Sequence, residues 1–120
     1  MSASSQQQVW NAVKEEEWVQ TIIEAARLYG WRVAHFRPAM TGRGWRTAVS
    51  GDGAGFFDLV LVHPEQRRVL FVEAKREGPN LDAEQIVWRD VVQAAGGTAL
   101  VWRPHDRDLM HEILEGRDGE

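Results

Sequence analysis

Two apolar runs, Gly55-Phe-Phe-Asp-Leu-Val-Leu-Val62 and Val69-Leu-Phe-Val-Glu-Ala-Lys75, constrain this chain more than any other feature. Both read as β-strands, joined by His63-Pro-Glu-Gln-Arg-Arg68, a stretch of turn and solvent residues. Three charged residues, Asp58, Glu73 and Lys75, interrupt runs that otherwise look like buried β structure. Burying such a charge costs on the order of several kcal/mol unless it is paired or holds a metal.

Strand geometry sharpens the problem. Side chains alternate across a strand, so Glu73 and Lys75 share a face with Val69 and Phe71. A hairpin centred on Glu65 and Gln66 sets Val62 against Val69, Val60 against Phe71 and Asp58 against Glu73. Directly opposed residues have Cβ atoms about 5 Å apart, and two like charges so placed repel. A cation between them resolves the conflict, and two carboxylates completed by water and phosphate are how Mg²⁺ is usually held. The plainer alternative is that the charges sit at solvated strand ends, paired with Lys75 and Arg76. That suits any one of them better than all three at this spacing.

Asp58, a β run and then Glu73-Ala74-Lys75 together resemble the PD-(D/E)xK nuclease core. More closely, the chain is similar to the small VRR-NUC branch, including stand-alone phage proteins of that type. The resemblance runs from about Glu15 to Asp106 and takes in Gly30-Trp31, Gly55-Phe-Phe-Asp58, Gln85 and Trp102-Arg-Pro104. The proline usual before the first aspartate is Phe57 here, which leaves the ligand set intact.

The resemblance implies a nuclease that ligates Mg²⁺ or Mn²⁺ through Asp58 and Glu73, with the backbone carbonyl of Ala74 as a further ligand. It also implies a first-helix glutamate in the site, which Glu15 matches best, and a glutamine near the site at the start of a later helix, which Gln85 matches. Lys75 would orient the attacking water or stabilise charge on the phosphorane. The expected product is a phosphodiester cut leaving a 5′-phosphate. No HExxH or phosphate-loop pattern supplies a competing site, and no small-molecule cofactor is expected.

At 120 residues the chain is one domain with little core to spare. Six tryptophans are hard for a small monomer to bury, which motivates a homodimer. Having no cysteine excludes disulfides, thiolate metal sites and a cysteine nucleophile. No apolar run approaches the roughly 20 residues of a membrane span, and no signal-peptide pattern opens the chain. The expected setting is the cytoplasm of a bacterial or phage-infected host cell. A net charge of −4 gives no global nucleic-acid signature, so DNA binding must rest on local patches.

The expected organisation is a disordered tail over 1–8, a nuclease-like domain over 9–115 and a polar tail over 116–120. From Val9 to Tyr29 the pattern is helical, with Trp18, Ile22, Ala25 and Tyr29 on one stripe and Gly30 as the stop. Glu15 extends that stripe, whereas Glu16 and Glu17 suit a solvated acidic run. Trp31 to Phe36 reads as a strand, and its His35 is either substrate-facing or simply hydrogen-bonded. Residues 37–54 form a long irregular stretch in which Arg37, Arg43 and Arg46, with Trp45, are candidates for phosphate contact and base stacking. Asp82 is a plausible N-cap, with Gln85 in capping-box position. The helix to Ala95 is expected to bury Leu81, Ile86, Val87 or Trp88, Val91 and Val92. Thr98 to Trp102 is a strand that a right-handed crossover sets parallel to Val69–Lys75, and Asp106 or Asp108 caps a last helix through Leu114. The fold class is α/β, a single three-layer-like sandwich around a central mixed four-stranded sheet, in the order α-β-β-β-α-β-α.

Three functional readings follow. The first is a metal-dependent DNA endonuclease acting on duplex or branched DNA. The second is a Holliday-junction resolvase, since a two-fold dimer suits a four-way junction. The third is a catalytically silent nucleic-acid-binding module, against which the intact Asp58, Glu73 and Lys75 argue.

Overall fold

The computed structural model describes residues 4–36, 39–41, 44–46 and 51–119, with the backbone alone for 39–41, 44–46 and 119. Helicity begins earlier than expected. Ser4 accepts the Gln7 N–H with its side chain and caps α1, Ser5–Ala12, where a disordered tail to Gln8 was expected. The expected single helix is two: Val13 and Lys14 are extended, and α2 spans Glu15–Leu28. The break has an electrostatic logic, because Glu15, Glu16 and Glu17 then occupy the first turn, where the helix dipole favours acid. Trp18, Val19, Ile22, Ile23, Ala25 and Ala26 form its buried face, and Gly30, at φ +89°, turns the chain after it.

The strands are β1, Arg32–His35; β2, Ala39–Thr41; β3, Gly44–Arg46; β4, Leu59–His63; β5, Arg68–Ala74; and β6, Thr98–Trp102. Helix α3, Ala83–Ala94, links β5 to β6, and α4, Arg107–Glu115, follows a 3-10 turn at Pro104–Asp106. The main sheet has the order β1-β4-β5-β6, antiparallel except for the parallel β5–β6 pair that the crossover demands. The fold is thus the expected α/β arrangement around a mixed four-stranded sheet. The segment expected to be irregular adds a small antiparallel pair, β2–β3, outside that sheet.

One sheet face carries Leu59, Leu61, Leu70, Val72, Ala74 and Trp102, which pack with Ile22 and Ala26 of α2 and Met110 and Leu114 of α4. Among the described residues three tryptophans are buried, at 18, 31 and 102. The indole N–H groups of Trp18 and Trp31 donate to the carbonyls of Trp102 and Leu114, each at 2.7 Å, whereas the Trp102 indole N–H is buried without a partner among the described residues. The other face carries Val60, Phe71, Glu73 and Ala99, and α3 lies on this side.

Here one expectation is corrected. None of the residues of α3 is buried, and Val87 and Val91 are 59% and 55% exposed. The helix meets its surroundings through Gln85, Gln93 and Trp88, whose ring stands edge-on to Phe56 at 5.0 Å. Phe56 in turn contacts Phe57 and Phe71. These rings fill the space beneath α3, so its second apolar stripe stays at the surface. Among the described residues no helix is long and apolar enough to cross a membrane.

Gly55 holds this layer together from the other side. Its φ is +78°, and a Cβ there would come within 2.5 Å of Glu84 Cβ and 2.9 Å of the Gln85 nitrogen. Gly55→Ala is therefore expected to cost about 3 kcal/mol, from left-handed backbone strain plus overlap. Gly51→Ala, at φ +60° with nothing within 4 Å, should cost only about 1 kcal/mol. Equal losses in urea denaturation would show that the close approach of Gly55 to α3 contributes nothing.

Candidate active site

The β4–β5 ladder pairs Val62 with Val69, Val60 with Phe71 and Leu59 with Val72. One step further, Asp58 stands opposite Glu73, in the register deduced from the hairpin. Asp58 is half-buried and its Oδ2 accepts the Ala74 N–H at 2.9 Å. Glu73 is 4% exposed, the one buried charged or polar residue among those described. Burial, followed by the hydrogen bond to Asp58 and the Asp58 charge, pushes the Glu73 carboxyl up to about 10; Lys75 opposes the shift and Glu15 adds to it. Burial beside a second carboxyl thus favours the protonated form of Glu73.

Gln85 unites the two roles open to it. Asp82 and Gln85 form a complete capping box: the Asp82 side chain accepts the Gln85 N–H, and Gln85 Oε1 accepts the Asp82 N–H, both at 3.0 Å. With its oxygen so committed, the amide turns Nε2 towards Glu73 Oε1, at 3.2 Å. Capping therefore fixes which end of the amide meets the carboxyl.

The model of the VRR-NUC domain matches residues 4–106. The chain belongs to the VRR-NUC family. Membership carries a nuclease-type function, and the nucleases of this family act on DNA. Comparisons with curated proteins and with solved structures returned no match.

In this VRR-NUC domain a groove of about 1100 Å³ opens beside the carboxyl pair, lined among others by Lys14, Glu15, His35, Phe36, Asp58 and Arg76. Glu73, Lys75 and Gln85 are not on its wall, so Asp58 is the member of the pair that reaches it. Glu15 is exposed and its Oε1 lies 3.5 Å from the Arg76 nitrogen. Its charge is felt at Glu73, yet among the described residues no three His, Cys, Asp or Glu side chains cluster closely enough to hold a metal. The preformed acid set is the pair. Such a pair of hard oxygen ligands fits Mg²⁺, which takes one or two carboxylates and fills its remaining positions with water and phosphate.

Lys75 is half-buried on the face of Glu73, with its backbone N–H bonded to the Trp102 carbonyl. Phe57 is 2% exposed and packs on Phe56 and Phe71. Arg37 and Arg43 lie outside the described residues. Arg46 falls in β3, and its side chain lies outside them too.

Contacts that sequence reasoning missed hold the groove's rim. Burial disfavours a charge on Glu77, but hydrogen bonds from the His105 backbone and ring and from Gln7 outweigh it and hold the carboxyl below its ordinary range. Arg103 donates to the Arg76 carbonyl at 2.7 Å. Together these tie α1 and the segment after β5 to the turn at Pro104–Asp106. Their partners are 27 to 70 residues apart in no periodic pattern, so no local signal announces them.

The raised Glu73 pKa has a signed consequence. Below the ordinary value of 4.5 both folded and unfolded chains hold the proton and nothing is lost. Between 4.5 and about 10 the unfolded chain ionises while the folded one keeps its proton, so stability falls as pH rises. Glu73→Gln removes that loss. In metal-free buffer its Tm should exceed that of wild type by a margin that widens from pH 5 to pH 9, reaching at least several degrees. A margin independent of pH would contradict a raised Glu73 pKa.

Proposed function

We propose that this VRR-NUC domain is a divalent-metal-dependent DNA endonuclease whose ion is held by Asp58 and Glu73. The observation that carries the reading is the opposition of these two carboxyls, one buried and one open to the groove, in a fold that otherwise buries no charge among the described residues. Mg²⁺ or Mn²⁺ bound there supplies Lewis acidity towards the phosphate and a more acidic water. The Ala74 carbonyl completes the protein's ligands in this reading, and Glu15 contributes through water.

The chain's own groups divide the remaining work. Gln85 donates to Glu73 and holds that carboxyl in place, which makes it a positioning residue. The Ala74 N–H does the same for Asp58. Lys75 brings a positive charge to the face of the pair, suited to charge building up on the phosphate. Arg37, Arg43 and Arg46 are assigned to the flanking phosphates, which would offset the acidic balance of a groove lined by Glu15, Glu16, Glu17 and Asp58. A homodimer belongs to the same reading: Val62 and Val69, paired across β4 and β5, are 39% and 45% exposed, and Val87 and Val91 of α3 are exposed as well.

The test is cleavage of labelled single-stranded, linear duplex, flap and four-way-junction DNA in Mg²⁺, Mn²⁺ or EDTA. Wild type should cut with 5′-phosphate products in either metal and not in EDTA. Asp58→Ala and Lys75→Ala should each lose at least about 100-fold, a loss of the size expected for groups stabilising transition-state charge. Preference for the four-way junction, together with sedimentation as a dimer, would favour the resolvase reading. Binding without cleavage in any metal would leave the silent binding module.

A further inference from the structure

The β1–β4 ladder pairs Arg32 with Val62 and ends with His35 opposite Leu59. Its next rung is Phe36 against Asp58, closed by the Phe36 N–H donating to the Asp58 carbonyl at 2.8 Å. Opposed residues share a face. Phe36, Asp58 and Glu73 therefore form one row across three neighbouring chain segments, with the aromatic ring beside the carboxyl pair. Phe36 lines the same groove as Asp58 and is 44% exposed.

That ring is held by an aromatic support. Phe36 stands edge-on to Phe56 at 5.6 Å, and Phe56 is braced edge-on by Trp88 at 5.0 Å and by Phe71 at 6.2 Å. Edge-to-face contact fixes a ring while leaving a face free. A single exposed phenylalanine is ordinary on a protein surface. One that is fixed, in the groove and one strand spacing from the acid pair has a more specific use.

We propose that Phe36 is a stacking platform for an unpaired nucleobase next to the phosphate that lies at the Asp58–Glu73 pair. This rests on the nuclease reading for the position of the phosphate. A π-face accepts any base, so the contact adds affinity without sequence preference. It is available only to a base free of its partner strand, because unstacking a paired base costs about as much as one new stack returns. Phe36 thereby biases the site towards DNA whose bases are already open beside the cut.

The experiment measures binding of one oligodeoxynucleotide containing 2-aminopurine, single-stranded and annealed to its complement, in Ca²⁺ to limit turnover. Wild type, Phe36→Ala, Phe36→Leu and Phe36→Trp are compared, with thermal melts to confirm that each is folded. Loss of one stack corresponds to about 5- to 100-fold in Kd. Phe36→Ala and Phe36→Leu should weaken single-strand binding by that factor, lose the quenching of 2-aminopurine, and leave duplex binding within about twofold of wild type. Phe36→Trp should retain both affinity and quenching. Leucine behaving as wild type would reduce the contact to apolar packing and overturn the proposal. So would equal losses on both DNAs, or no difference among the variants, including no binding by any. Cleavage of the same DNAs by wild type in Mg²⁺ separates the two claims: cutting with no effect at Phe36 sinks the stacking alone, and stacking without cutting sinks the nuclease reading alone.

Discussion

The proposed site depends on one constraint, the placing of Asp58 against Glu73. Opposed carboxyls one strand apart are unfavourable, and burial makes them more so. The fold nevertheless secures the arrangement from three directions. The ladder sets the register, the Ala74 N–H fixes Asp58, and Gln85 fixes Glu73. The cost is visible in the Glu73 carboxyl, pushed up to about 10. This conflict, at the one buried charged or polar residue among those described, is what the proposed cation would relieve.

The outer layer serves that pair. Helix α3 contributes little to the core, since none of its residues is buried, yet its first turn positions Gln85 through a complete capping box. Gly55 lets the segment leading to Asp58 lie directly on that turn. Phe56 and Trp88 then lock helix and segment together. Stability and site geometry are coupled here, which is why a methyl group at Gly55 should disturb both.

Much of this was legible in the sequence because it is local or periodic. The apolar runs Leu59–Val62 and Val69–Val72, joined by a short turn centred on Glu65 and Gln66, determine the hairpin register to the residue, and that register places the acid pair. Strand–helix–strand order determined the parallel pairing of β6, and Asp82 with Gln85 announced a cap. What was not legible depends on side chains meeting across the fold. The apolar spacing of α3 reads like a buried stripe, but intervening rings lift it from the sheet. The break at Val13–Lys14 is masked by a helical pattern on both sides. Phe36 was invisible as a neighbour of Asp58 because β1 and β4 are separated by a long segment, and nothing local sets their register. The Glu77–His105 contact has the same character.

The central claim is that Asp58 and Glu73 hold a divalent cation together, and it is tested most directly by Mn²⁺ binding, followed by electron paramagnetic resonance of the free ion. Wild type should bind at neutral pH, and Asp58→Asn and Glu73→Gln should each weaken binding by about tenfold or more, as loss of one charged ligand from a hard-cation site implies. Binding that survives either substitution unchanged would contradict the account and place the ion elsewhere.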